Sequence, residues 1–285
     1  MALKISAVIP HFNQQDCLNK CIESLLEQEI VFNKILIIDD GSKNFKDSSL
    51  KFFSKYNQFY IIKNEVNMGR GFCRNLAINE LTEPFIFFLD ASNVVKKGYV
   101  KMALSHFIND KVSAVSGLIN NNPNNNSFVS KWRARHLFKE NHKFGNQVHD
   151  AKSLTTYGTI LRRSAVLDVG NFNPLLRHSE DKDLGKRLLN AGYKIIGAPN
   201  LVVYSIKKDS ILSVLERYWR WYGGEDERMN FRDYLNAIKA SFRPMIQEDL
   251  KAKDCSAAFV SFLCPHYGYI RHLYRRLTGK LQKID

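Results

Sequence analysis

The sequence holds no CxxC pair, and its five cysteines (Cys17, Cys21, Cys73, Cys255 and Cys264) are odd in number. A zinc ribbon and a secreted disulfide framework are thereby excluded, and a reducing cytosol is the expected compartment. Long apolar runs are missing too. The clearest, Ala257 to Cys264, falls far short of the roughly 20 residues a spanning helix needs. The opening MALKISAVIP lacks the basic region, apolar stretch and cleavage site of a signal peptide, so the expectation is a protein neither exported nor membrane-spanning. His136, His142, His149 and His178 show no HExxH-type spacing. There is no Walker loop with its Lys-Ser/Thr ending, which sets aside a P-loop ATPase. Nothing resembles a helix-turn-helix, a finger or an RNP motif, so no nucleic-acid partner is expected.

What is present is ordinary globular composition: 285 residues, 45% hydrophobic and 25% charged. That length suits one large domain or two intimate ones, folded without staples. Forty-two Lys and Arg against 28 Asp and Glu leave a net charge of +14. Polyanionic partners are favoured, whether nucleic acid, anionic lipid or nucleoside diphosphate.

Apolar runs and helical stripes alternate along the first ninety residues. Strands are expected at 4–9, 34–38, 59–63 and 84–89, with helices at 18–28, about 48–56 and about 71–81. This order predicts an α/β fold with a parallel sheet covered on both faces. The Asn-rich stretch 120–126 marks a boundary. Beyond it come a short strand at 159–162, a helix at 181–191 ending at Gly192, and short strands at 193–196 and 201–204 around Pro199. From Ile211 onward the pattern is helical, interrupted by Pro244 and Pro265.

Ligands of such sheets sit beyond the carboxyl ends of the strands, which directs attention to four polar segments. Asp39-Asp40-Gly41-Ser42 offers two carboxylates able to accept from a base imide or a ribose hydroxyl, or a simple turn. Asn67-Met68-Gly69-Arg70-Gly71, with Arg74, offers backbone N–H groups and guanidinium groups to a phosphate, or a glycine turn beside solvated arginines. Asp90, after Phe85 to Leu89, is a candidate ligand for a divalent cation. Glu180-Asp181-Lys182-Asp183 opens a helix, where acidic residues complement the dipole or supply a general base.

In this order AVIPHFNQ, ILIIDDGSKN, NMGRGFCRNLAI, FIFFLDASN, YGTILRRSAVLDVGNFNP and SEDKDLGKRLLNAGYKI resemble the family 2 glycosyltransferases over residues 4–205. The resemblance implies a GT-A fold, a mostly parallel Rossmann-like sheet flanked by helices, with a helical C-terminal extension. It implies a nucleotide-sugar-binding half at 1–119, an acceptor-binding and catalytic-base half at 127–206, and a basic extension at 207–285. Pro10 and Phe12 would line the base pocket, Asp40 with Asp39 would bind the base, and Arg74 would lie near base or diphosphate. Asp90 would touch ribose or metal-bound diphosphate, and Asp181 would be the general base of an inverting displacement. Glu180, His178 and Trp132 are candidates for the acceptor side. The implied enzyme is a hexosyl- or N-acetylhexosaminyl-transferase using a nucleoside-diphosphate sugar, UDP-sugar favoured, in bacterial surface polysaccharide synthesis. A member that binds the donor without turnover, or a basic membrane- or nucleic-acid-binding module, is the alternative.

Two positions depart from the family pattern. Ser92 replaces the second carboxylate of the Asp-x-Asp motif, and Val202 to Ile206 lacks a histidine often found there. Mg or Mn remains the implied cofactor. The substitution weakens a hard-cation site, and Arg70, Arg74, Arg162 and Arg163 are candidate cations in its place.

Residues 207–285 hold 15 Lys or Arg and 10 Asp or Glu. The run Arg217–Gly224 interleaves arginine with Trp219 and Trp221. Arg271, His272, Arg275 and Arg276 stand beside Tyr267, Tyr269, Leu273, Tyr274 and Leu277, which suits peripheral contact with an anionic membrane and a lipid-linked glycan acceptor. The bland reading is a solvated basic face over packed aromatics. A cytoplasmic protein, peripheral at the inner face of the membrane, is the expectation.

Overall fold

A computed structural model describes residues 4–140, 147–222 and 229–278; His142, Gly223 and Gly224 lie outside them. In chain order the elements are β1 (Ile5–His11), α1 (Gln15–Leu26), β2 (Ile35–Asp39), a 3₁₀ segment (Asp47–Lys55), β3 (Phe59–Lys63), α2 (Arg70–Glu80), β4 (Phe85–Leu89), β5 (Asn93–Val95), α3 (Tyr99–Leu104) and β6 (Val112–Asn121). They continue with α4 (Phe128–His136), β7 (His149–Asp150), β8 (Gly158–Arg162), α5 (Arg163–Asp168), α6 (Glu180–Asn190), β9 (Lys194–Ser205), α7 (Ile211–Tyr222), α8 (Phe231–Ala240), α9 (Gln247–Lys251) and α10 (Cys255–Thr278).

These elements form two compact units, one within 1–120 and 144–207, the other within 121–143 and 208–285. The first change from one unit to the other falls after Asn120, beside the Asn-rich stretch. Residues 127–140, expected with the catalytic-base half, instead join the C-terminal helices, because Val129, Trp132 and Leu137 share a core with Val214, Leu215, Met245, Ala257, Val260 and Cys264.

The first unit is a sheet ordered β3-β2-β1-β4-β8-β6-β9-β5, with β7 on β9. Its first four strands are parallel. Of these, β1, β2 and β4 are largely apolar because both faces are covered, whereas the edge strand β3 is only partly buried. Ile5, Ala7 and Ile9 face Leu18, Cys21, Ile22 and Leu25 of α1. Val8, Leu36 and Ile38 face the other way, onto Cys73, Ala77 and Ile78 of α2 and Leu184 and Leu188 of α6. Beyond β4 the pairings turn antiparallel, β4 with β8 and β8 with β6. The two short strands expected around Pro199 are a single strand, β9, which pairs with β7 and β5 near its two ends.

Two glycines set how closely the site loops approach. Gly41 has φ +74°, and a Cβ there would lie 2.6 Å from the Val66 carbonyl carbon. At Gly71 a Cβ would meet the carbonyl oxygens of Leu176 and Asn173 at 2.3 and 2.4 Å. The Gly71 N–H donates to that Leu176 oxygen at 3.1 Å. The segment leading into α6 is thus laid directly on the first turn of α2.

In the second unit α4, α7 and α10 supply most of the core that contains Trp132, with Leu137 and Met245. Pro265 lies inside α10 without ending it. Arg271 and His272, read as membrane-facing cations, are buried. Arg271 pairs with Glu216 at 3.3 Å and lies over Trp219, and His272 meets the edge of the same indole.

Candidate active site

The register pairs His11 with Asp39 and Val8 with Phe88, so the carboxyl ends of β2, β1 and β4 lie side by side. Three carboxylates, Asp39, Asp40 and Asp90, follow from that alignment. Asp39 is turned inward. Its Oδ1 accepts from His11 Nδ1 at 2.7 Å and from the Ser42 hydroxyl at 2.6 Å, and its Oδ2 accepts from the Ser42 N–H at 3.2 Å. The Gln14 N–H donates to His11 Nε2 at 3.2 Å, so the imidazole is neutral with its proton on Nδ1. Burial holds the His11 pKa below the ordinary histidine range, against the opposing pull of Asp39. Sequence reasoning passed over His11, although it stands between the two residues assigned to the base pocket.

Asp40 is also committed. Its Oδ1 accepts from the Met68 N–H at 2.8 Å and Asn64 Nδ2 at 2.9 Å, and its Oδ2 accepts from the Gly69 N–H at 2.8 Å. A carboxylate holding two consecutive backbone N–H groups shapes the loop that contains them. The Asn67–Gly71 segment, read either as an anion cradle or a glycine turn, is therefore a turn braced by Asp40, and two of its N–H groups are not aimed at a phosphate. Both expected base-binding carboxylates are nearly covered, at 3% and 5% exposure, with Pro10 and Phe12 half-buried beside them.

The centre of the site is Arg74. Expected against the base or diphosphate, it is instead 1% exposed. Its guanidinium donates through one nitrogen to Asp90 Oδ1 at 3.0 Å and through the other to Glu180. Asp90 follows β4 and Glu180 opens α6, so one side chain of α2 ties together two acids from distant segments. Glu180, expected toward the acceptor, is correspondingly buried. Burial pushes its carboxyl upward and Arg74 pulls it back down. Consecutive residues at a helix start point in different directions. With Glu180 turned in, its neighbour Asp181 is left partly exposed, and its Oδ1 accepts from the Lys182 N–H at 2.8 Å.

Arg70 remains exposed in the first turn of α2. Desolvation pulls its guanidinium down, and the combined field of Asp90, Glu180 and Asp181 outweighs that and pushes it up. Tyr157, half-buried, feels Asp181 as well: desolvation raises its hydroxyl pKa and the carboxylate adds to the rise. Asp90 and Asp181 thus both lie within electrostatic reach of Arg70. His178 is half-buried on the segment entering α6.

Other candidates lie elsewhere. Arg162 pairs with Phe85 at the opposite end of β4 and donates to the carbonyls of Val112 and Asn109, while Arg163 donates to the Ile78 carbonyl. Neither reaches Asp90. Trp132 is fully buried and donates its indole N–H to Ser261 at 2.8 Å; its ring is core and has no face open to a sugar. At the metal position, Asp90 has one oxygen engaged by Arg74 and Ser92 contributes no charge. Among the described residues no group of three or more His, Cys, Asp or Glu is gathered to hold a cation. The residues do not fit a divalent ion held by the protein alone.

A mixed sheet with helices on both faces is the architecture of the GT-A fold, and solved structures match it in fold. PcManGT, a mannosyltransferase from Pyrobaculum calidifontis in complex with GDP-Man and Mn2+, matches with a TM-score of 0.63 at 14% identity, covering 98% of this chain and 88% of its own. S. aureus TarS in complex with UDP-GlcNAc matches at 0.58 and 17%, covering 98% and 76%. Residues 6–170 match the Glycosyl transferase family 2 profile, and the chain belongs to that family. It is 25% identical over 223 residues to the pre-mycofactocin glycosyltransferase of Mycobacterium tuberculosis, covering 77% of this chain and 46% of that protein. It is 22% identical over 251 residues to a poly-beta-1,6-N-acetyl-D-glucosamine synthase of Staphylococcus aureus, covering 85% and 59%. The chain spans about half the length of these curated relatives.

Removing the shared guanidinium strands a buried acid. Arg74→Ala is expected to destabilise the protein by about 3–5 kcal/mol, the usual effect of breaking a buried pair, as measured by urea denaturation. His11 gives a pH signature. Because its folded pKa is depressed, its contribution is complete above the unfolded value of about 6.5 and is lost as pH falls through the folded value. Stability should therefore decline in the wild type as pH falls from about 6.5 to the folded value, and decline less in His11→Asn, read as denaturation midpoints across that range.

Proposed function

We propose that the protein is an inverting glycosyltransferase that moves a hexosyl or N-acetylhexosaminyl group from a nucleoside-diphosphate sugar to a hydroxyl of a glycan or lipid-linked acceptor. The observation that carries this reading is the shared guanidinium of Arg74, which brings Asp90 and the start of α6 to one rim with Asp181 left open beside them.

The rim supplies the two things such a transfer requires. One is compensation for the negative charge that grows on the departing diphosphate, and Arg70, the exposed cation among these acids, is suited to it. The other is a base for the acceptor proton. Asp181 takes the proton from the acceptor hydroxyl as that oxygen bonds to the anomeric carbon. The bond from that carbon to the diphosphate oxygen breaks, and the nucleoside diphosphate leaves with the electron pair. Attack opposite to departure inverts the anomer. No step is assigned to a metal ion. Pro10 and Phe12 flank the base.

A uridine nucleotide is the favoured donor carrier. TarS was solved with UDP-GlcNAc, and a related chain is a poly-beta-1,6-N-acetyl-D-glucosamine synthase. Surface polysaccharide assembly in a bacterium, at the cytoplasmic side of the membrane, is the matching context. Ser92 supports a second reading, in which the chain binds donor without turning it over.

Asp181→Asn is expected to keep donor affinity and to lower transfer by about a hundredfold or more, as loss of a general base does. Titration with the UDP-sugar and a transfer assay read the two separately. Unchanged turnover would remove Asp181 from the reaction, and binding without transfer by the wild type would favour the second reading.

A further inference from the structure

In the second unit, α8 is a well-made helix with no buried residue. Its start is closed by a reciprocal cap: the Asn230 side chain accepts from the Asp233 N–H at 2.9 Å and the Asp233 carboxylate accepts from the Asn230 N–H at 3.0 Å. Its apolar residues Phe231, Tyr234, Leu235 and Ile238 recur at the spacing of one helix face, and Phe242 continues it. That face is open, with Phe231 65% exposed, Leu235 43% and Phe242 49%.

The outer side of α10 extends the surface. Phe259, Phe262, Ile270, Leu273 and Leu277 are all exposed along it at three- to eight-residue spacings. The two stripes join through aromatic contacts. Tyr234 stacks on Tyr269 with ring centroids 4.5 Å apart and is hydrogen-bonded to His266 at 2.6 Å, and His266 in turn meets Phe262 at 4.6 Å. A contiguous apolar surface of this extent is unusual on a protein surface that faces only water.

Its charges select the occupant. Over residues 229–278 the exposed charged side chains are Arg232, Lys239, Arg243, Lys251, Lys253 and Arg276 against Asp233 alone, and Asp233 is spent on the cap. Lys239 and Arg243 line the same shallow depression as Ile238 and Phe242. A second copy would bring the same cations against these, and each chain carries +14. Among the described residues no helix is long and apolar enough to cross a membrane. An open apolar face bordered by cations fits a bilayer surface with anionic headgroups, where rings enter the acyl boundary and cations meet phosphate.

We propose that the α8 face and the outer stripe of α10 form a docking surface for anionic lipid. Phe231, Leu235 and Phe262 enter the bilayer boundary, and Arg232, Lys239 and Arg243 hold the headgroups. The surface differs from the Arg271–His272 face suggested by sequence, and it does not depend on the assignment of the donor site.

Sedimentation of the whole protein with vesicles tests it. Vesicles containing phosphatidylglycerol should carry the protein down, and vesicles of phosphatidylcholine alone should do so much less. Leu235→Glu with Phe262→Glu should lower partitioning by about tenfold or more. The milder Phe231→Ser with Leu235→Ser, checked by an unchanged melting temperature, should lower it in the same direction, and so should Lys239→Gln with Arg243→Gln. Equal partitioning of folded variants and wild type would overturn the proposal, as would no sedimentation with anionic vesicles. A concentration-dependent dimer, seen by light scattering and lost in Leu235→Glu/Phe262→Glu, would assign the face to a second copy instead.

Discussion

The site of the first unit depends on one guanidinium shared by two acids. Arg74 is almost completely enclosed, and a charge so placed is tolerated only with partners of opposite sign at hydrogen-bond distance. Its partners come from the end of β4 and the start of α6, 106 residues apart in sequence in the case of Glu180. Meeting the electrostatic demand of Arg74 therefore fixes where α6 begins, and with it the direction of the next side chain, Asp181. A need for charge compensation becomes the geometry of a candidate base beside a candidate donor rim.

The surroundings are organised to support that arrangement rather than to duplicate it. Asp39 and Asp40 spend their oxygens on His11, Ser42, Asn64 and the Met68 and Gly69 N–H groups. These bonds hold the loops after β1, β2 and β3 in fixed relation. Gly71 lets the segment before α6 lie on the α2 backbone, and Arg177 of that segment donates to the Asn67 carbonyl at 3.1 Å. Every loop that borders the rim is thus tied to another, as expected where reacting groups must be held before substrate arrives.

Much of the architecture was legible in the sequence, for a physical reason in each case. β2 and β4 are continuous apolar runs because both faces are covered, and α1, α2 and α6 carry one apolar stripe each, so their positions were read to within three residues. β6 was missed because Ser113, Ser116 and Gly117 dilute its pattern, and α4 because its basic, aromatic sequence hides a core-facing Val129 and Trp132. That Asp90 follows a strand and Asp181 stands at a helix start was legible. The roles of Arg74 and Glu180 were not, since local spacing cannot reveal a pairing between residues so far apart along the chain. Trp132 shows the opposite error, an aromatic residue offered to a ligand when the core required it.

The most direct measurement is a crystal structure with an intact, non-hydrolysable UDP-sugar. The diphosphate should lie against Arg70, with the anomeric carbon separated from Asp181 by the width of one acceptor hydroxyl and Arg74 still bridging Asp90 and Glu180. A donor seated away from that rim, or with its sugar on a side Asp181 cannot face, would contradict it.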